Sequence, residues 1–436
     1  DEYVFFNPKL DWHKQQEELL NERISAVKQI HEMGKTDAVI QFAGRVKNPT
    51  KVGDVFARIA KELNDREFLP DFLGSPEQYK RQFIKGYIES RYALLGEIWI
   101  DSLNANTWTV EQKCELLFSL PFELEIWKKV DELLGEQAGI YWSHIDANPF
   151  PTQSNLLPAI RQLIQYGRPF LALDCIYAHY IGKKEFFKEE AIQALLKGTA
   201  TDESESAIHT YHVIEIIKML QADPQINEDD LFKIEWAFLP LLKSNNNAQP
   251  KILEKKLSEE PQFFIEVIRS VYRSKNQDNE QELDETKKSI ALNAWELLHE
   301  WKRPPGMLDD GSFSAETLRM WYNAVKLKTI ESGHYEVAMT YLGQVLFYAC
   351  PDPSGLWIHQ SAAELLDEKE NDNIRKGFSL AVFNSRCVYS IVPSGKTERE
   401  LAISWRQKAE EIEKLGLIRF ASSLKELANS YDREAE

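Results

Sequence analysis

Residues 52–63 read VGDVFARIAKEL. Val52, Val55, Phe56, Ile59, Ala60 and Leu63 fall at i, i+3, i+4, i+7, i+8 and i+11, which places all six on one stripe of a helix. The same spacing recurs at Val213, Ile216, Ile217 and Leu220, and at Phe420, Leu424, Leu427, Ala428 and Tyr431. Strand-like alternation is scarce; Cys387 to Val392 is the one short run that shows it. The sequence therefore predicts an all-α chain.

Breaks between the helical runs are short, as suits antiparallel neighbours joined by tight loops. Asn148-Pro149-Phe150-Pro151, Arg303-Pro304-Pro305-Gly306 and Pro351-Asp352-Pro353-Ser354-Gly355 are the firmest, because proline lacks an amide donor and restrains the residue before it. The run from Ser274 to Glu285 carries Asp278, Glu280, Glu282, Asp284 and Glu285, which repel one another; it reads as an acidic surface loop. Three regions are expected: 1–150, 151–303 with the acidic loop near 274–285, and 304–436 with a short irregular segment near 384–397.

A weak repeat links these regions. Gly34, Gly167, Gly333 and Gly416 each stand between two helical runs, with a small residue four or five positions later at Ala38, Ala172, Ala338 and Ala421. Glycine accepts the left-handed conformation that ends a helix, and alanine lets the next helix pack closely. Helical hairpins stack in this way in tetratricopeptide-like or HEAT-like superhelices, so an irregular helical-hairpin solenoid is expected.

Composition narrows the function classes. Among 436 residues, 52 Lys and Arg against 69 Asp and Glu give a net charge of −17, which disfavours binding to a phosphate backbone. Cys114, Cys175, Cys350 and Cys387 form no CxxC pair, so neither a zinc knuckle nor a disulfide scaffold is expected, and a reducing, cytoplasmic setting fits. No apolar run approaches the ~18 residues of a membrane span. The chain opens on Asp1-Glu2-Tyr3 without an initiator Met or a secretion signal, and reads as a piece of a longer protein.

Three constellations invite chemistry. Ser390 to Thr397, SIVPSGKT, nearly matches the phosphate loop, yet Ser390 stands where the first glycine is needed to let amides curl around a phosphate. Thr397 with Glu400 fits a capping box, so this stretch reads as a turn and a helix start. Glu205, His209 and His212 share a helical face and offer a two-histidine, one-carboxylate set. Because the stripe continues into Val213, Ile216 and Leu220, the structural reading of His209 is favoured and no metal or other cofactor is assigned.

Eleven tryptophans raise a third possibility, since Trp beside carboxylates lines sugar clefts. Glu97, Trp99 and Asp101 are close in sequence, as are Glu235 and Trp236, and Trp295 and Trp301 bracket Glu296 and Glu300. In helical proteins Trp more often fills wedges between hairpins. The Glu/Lys density of Lys408 to Lys414 reads as a solvated helix face. No Ser/His/Asp or Cys/His set stands out by spacing.

From Pro351 onward the sequence carries PDPSGLWIH, IRKGFSLAVFNSR, PSGKTERELA and a closing ELANSYDREAE. Through Gly355, Trp357, His359, Gly377, Phe383, Asn384, Ser385, Arg386, Gly395, Arg399 and Glu400 it resembles the C-terminus of large bacterial multidomain proteins of the antiphage-defence or signalling type. The likeness extends diffusely to QYGR at Gln165 to Arg168 and to His299, Glu300 and Trp301, while Cys387 stands where glycine is expected. In such proteins an N-terminal effector or ATPase does the chemistry and the helical region senses or scaffolds.

The resemblance thus implies a non-enzymatic interaction or sensing module, whose partners are another protein and the remainder of its own polypeptide. Trp357, His359, Asn384 and Arg386 are the candidate binding residues, set against the structural alternative, favoured for any one of them, that Asn384 caps a turn and Trp357 fills a core. The alternative is a helical (α/α) hydrolase acting on carbohydrate or another polar substrate.

Overall fold

The computed structural model describes residues 11–60, 65, 69–146, 148–152, 154–199, 207–243, 248–274, 284–385 and 395–435. Among them 75% are helical, with no strand and one isolated bridge between Met307 and Phe313, so the chain is all-α. No helix among these residues is long and apolar enough to cross a membrane. The strand-like run at 387–392 and the core of the acidic loop at 275–283 lie outside the described residues.

The chain forms two compact units, Asp1–Ile216 and Ile217–Glu436. The first holds α1 (Trp12–Ala43), α2 (Pro49–Ile59), α3 (Gln78–Leu95), α4 (Glu97–Ser102), α5 (Val110–Phe118), α6 (Leu124–Leu134), α7 (Ala138–His144), α8 (Leu157–Gln165), α9 (Pro169–Lys183), α10 (Lys188–Gly198) and most of α11 (Ala207–Ala222). The second holds α12 (Glu228–Ala237), α13 (Lys251–Glu259), α14 (Pro261–Val271), α15 (Glu285–Glu300), α16 (Ala315–Glu331), α17 (Tyr335–Leu346), α18 (Gln360–Asp367), α19 (Asp372–Asn384), α20 (Lys396–Lys414) and α21 (Ile418–Glu434). The proline-marked breaks at 148–151 and 303–306 are loops, each inside one unit.

The glycine-marked hairpins form where the sequence places them. Gly167, Gly333 and Gly416 have φ of 79°, 75° and 81°, a region that costs an L-residue energy, and Ala172, Ala338 and Ala421 are buried behind them. The first hairpin differs. α1 breaks at Gly34 and Lys35, and Lys35, not the glycine, takes the positive φ of 57°. The residue buried behind that turn is Val39, while Ala38 is half-buried.

A stronger repeat lies in the way two helix pairs cross. α2 crosses α3 with Gly53 against the Phe83 carbonyl and Gly86 against the Thr50 carbonyl, where a Cβ on either glycine would collide with backbone. α17 crosses α19 in the same manner, Gly343 on the Ile374 carbonyl and Gly377 on the Thr340 carbonyl. Each pair carries Thr-x-x-Gly-x-Val on its first helix, at Thr50, Gly53 and Val55 and at Thr340, Gly343 and Val345. Each carries Lys-Gly-aromatic on its second, at Lys85-Gly86-Tyr87 and Lys376-Gly377-Phe378. The glycines are 86 − 53 = 33 and 377 − 343 = 34 residues apart.

The two crossings serve different cores. Tyr87 donates to Asp65 at 2.5 Å, and Arg91 (3.2 and 2.7 Å) and Trp99 (3.0 Å) complete the shell of that buried carboxylate. Phe378 instead packs on Trp357, Trp405 and Phe420, at centroid distances of 6.2, 6.4 and 5.2 Å. Buried charge is tolerable only when paired and hydrogen-bonded, which Asp65 is on every side.

Candidate functional site

Of the four candidate binding residues three are described, and they stand in different surroundings. Trp357 is half-buried in the aromatic core of the second unit, and its Nε1 finds no hydrogen-bond partner among the described residues. His359 caps α18: its Nδ1 faces the Ser361 hydroxyl at 2.8 Å and accepts from the Ser361 amide, and its ring lies 4.7 Å from Phe313. Asn384 is exposed at the end of α19. Arg386 lies outside the described residues.

The near-phosphate loop falls mostly outside the described residues as well, at 390–394. Its end shows where the capping-box reading fails. Gly395, with φ of 56°, is the residue before α20, the helix begins at Lys396, and no side chain caps it. Thr397 is therefore already inside the helix. The reading of Lys408–Lys414 as a solvated face also needs correction at its first residue. Lys408 is half-buried with its ammonium over Trp357 and Trp405, 4.8 and 4.1 Å from the ring centroids, and burial lowers its pKa.

In the first unit, His209 and His212 meet a carboxylate, but it is Asp174 of α9; Glu205 lies outside the described residues. His212 Nδ1 donates to Asp174 Oδ1 at 2.6 Å, and His209 Nδ1 stands 2.8 Å from Oδ2. Tyr177 stacks on His212 at 4.4 Å. Both rings turn Nδ1 toward one carboxylate, which holds the two imidazoles in place. No group of three or more ligand side chains among the described residues fits a metal. The signal was Asp174 itself, a lone acid in the apolar run PFLALDCIYAHYIG of α9.

The carboxylates beside tryptophans scatter. Trp99 donates to Asp65, and Asp101 pairs with Lys129 at 2.7 Å. Glu296 pairs with Lys243 at 3.0 Å. Glu235 is fully buried and accepts from Gln221 and the amides of Ile252 and Leu253, holding the first turn of α13. Burial raises its pKa to about 7.

Glu300 faces a cavity of about 290 Å³ within the second unit. The end of α15 gives His299 and Glu300, α17 and the turn after it give Tyr341, Gln344 and Tyr348, and α19 gives Asn384. His299 Nδ1 donates to the Trp295 carbonyl at 2.8 Å, which leaves Nε2 as an acceptor, and its ring lies 3.9 Å from that of exposed Trp295. Tyr341 shares a 2.8 Å hydrogen bond with Tyr272, and burial, then that bond, raises its pKa.

Behind the lining stands Glu254 of α13. Burial pushes its pKa up to about 7, against the backbone N–H and the charge of Lys302. Its Oε1 finds no hydrogen-bond partner among the described residues. Tyr348 is raised by burial and then by the charges of Glu300 and Glu254. Cavities that hold a few convergent polar groups with shifted pKa values are the usual places of binding. The chain matches no protein-family model, no curated protein and no solved structure.

Proposed function

We propose that this chain is a non-enzymatic helical-repeat module, an irregular hairpin solenoid of the tetratricopeptide-like or HEAT-like kind. It belongs to a larger cytoplasmic bacterial protein of the antiphage-defence or signalling type, and it binds or senses a protein partner without a cofactor. The observation that supports this reading is the duplicated crossing, Gly53 with Gly86 and Gly343 with Gly377. A hairpin reused with the same glycines is how a repeat framework is built, and repeat frameworks present surface for partners. The binding residue is Asn384 together with Tyr348 on the cavity of the second unit and exposed Trp295, whose ring lies against the cavity-lining His299. Trp357 and His359 support that unit from within.

The test is affinity capture with the full-length protein from bacterial cells, comparing wild type with Trp295→Ala, Tyr348→Ala and Asn384→Ala. Loss of a central aromatic anchor typically costs ~2 kcal/mol or more, about thirtyfold in affinity, so a partner that depends on this face should be lost. A partner retained by all three variants would move the face elsewhere.

A second reading, a helical hydrolase acting on carbohydrate or another polar substrate, has one observation in its favour. Glu254 and Glu300 are two carboxylates near one cavity, and burial pushes Glu254 up to about 7. Turnover of a glycan by the purified chain, abolished by Glu300→Gln, would establish it.

A further inference from the structure

We propose that the cavity between the end of α15, α17 and α19 takes a guanidinium group, the side chain of an arginine presented by the protein partner. This rests on the interaction-module reading and names the chemistry of its anchor.

The lining is rich in acceptors. Glu300, His299, Gln344 and Asn384, each with a side-chain acceptor, line it from three different elements, beside Lys302 and Ser385. A guanidinium has five donors in a flat fork and no acceptor, so it answers acceptors spread around a slot better than the point charge of an ammonium. Tyr341, Tyr348 and Trp301 add aromatic surface, on which a planar cation stacks. At about 290 Å³ the cavity lies at the lower end of the ~300–1,000 Å³ typical of ligand sites, with room for a guanidinium.

Charge points the same way. The second carboxylate, Glu254, is buried with one oxygen unpartnered among the described residues, a costly arrangement that a nearby cation relieves. Its neighbours are Lys302 and Glu300 at the end of α15, Glu235 from α12 and Tyr348 after α17. Three of those four are acidic or phenolic, and Lys302 is the cation among them. The whole chain, at −17, draws cationic segments toward it.

Arginine binding should release a proton. A cation in the cavity favours the ionised form of Glu254, which burial holds up to about 7, so affinity rises as pH rises from 6 to 8. Lys302 competes with the incoming group for the same field.

Calorimetry on the whole chain tests this with a blocked Gly-Arg-Gly tripeptide, its citrulline counterpart and free L-arginine. The arginine peptide should bind, and the citrulline peptide should bind at least about tenfold more weakly, because it keeps the shape and loses the charge. Glu300→Gln should weaken binding about tenfold, and Lys302→Met should tighten it. Glu254→Gln should flatten the pH dependence, with melting curves confirming that each variant folds.

Equal binding of the citrulline and arginine peptides, or binding unchanged in Glu300→Gln, overturns the proposal. Binding of free arginine without the tripeptide overturns the partner's role and keeps a guanidinium site. A captured protein partner indifferent to Glu300→Gln and Tyr348→Ala keeps the module and overturns the arginine anchor.

Discussion

Gly343 lies so close to Ile374 that a Cβ on the glycine would run into the Ile374 carbonyl oxygen. Backbone cannot yield as a flexible side-chain tip does, so helix α17 or α19 must move to admit a methyl group. Gly343→Ala is expected to destabilise the protein by about 2 kcal/mol or more, and Gly53→Ala to do the same in the other unit. Gly182 of α9 has open space around its Cβ position, and Gly182→Ala should be neutral or gain up to ~1 kcal/mol. Urea unfolding of the three variants checks the contrast. Equal midpoints would contradict the close crossing.

Asp174 should matter for folding and not for metal. Asp174→Ala leaves the buried His212 Nδ1–H without its 2.6 Å acceptor, and a cost of about 2 kcal/mol is expected. Zinc at micromolar concentration should leave the melting midpoint of the wild type unchanged. A zinc-dependent rise that disappears in His212→Ala would restore the metal reading.

Helix caps separate two threonines that look alike in sequence. Thr109 closes a full capping box with Gln112, so Thr109→Ala should cost about 1 kcal/mol. Thr397 sits inside α20 after Gly395, and Thr397→Ala should stay within ~0.5 kcal/mol. Chemical denaturation of both variants decides; a larger loss at Thr397 would place the helix start two residues later than it is.

Glu254 gives a pH dependence of defined sign. Its folded pKa of about 7 lies above the ordinary 4.5, so between those values the folded protein holds a proton that the unfolded chain has released. Stability at Glu254 is therefore full below about 4.5 and falls as pH rises through about 7, by ~3 kcal/mol in order of magnitude. Glu254→Gln should flatten that slope between pH 5 and 8, measured by denaturant midpoints. An unchanged slope would mean that Glu254 is not the group responsible, and Glu235→Gln, which removes the other raised carboxylate, is the comparison.

The Asp65 shell predicts a graded series. Tyr87→Phe removes one donor and should cost about 1 kcal/mol, whereas Arg91→Met strands a buried carboxylate and should cost about 3 kcal/mol or more. Adding Asp65→Asn to Arg91→Met should recover part of the loss, since a neutral amide is cheaper to bury than a charge. Thermal melts of the double variant against the single one test this.

The sequence by itself determined what depends on neighbours along the chain. Stripes at i, i+3, i+4 and i+7 make the helices, and Gly167, Gly333 and Gly416 end them, because both effects act within a turn or two of backbone. Tertiary structure decided everything that needs a partner from afar. Gly53 and Gly86 look like indifferent helix residues until α2 and α3 cross, and Asp174 lies 35 positions before His209, which it meets through space. Trp357 and Asn384 carry equally conspicuous side chains in sequence, yet packing sends the first into an aromatic core and leaves the second on a cavity rim. Local periodicity fixes which way a residue faces from its own helix; only the neighbouring helix fixes whether that direction leads to core, carboxylate or solvent.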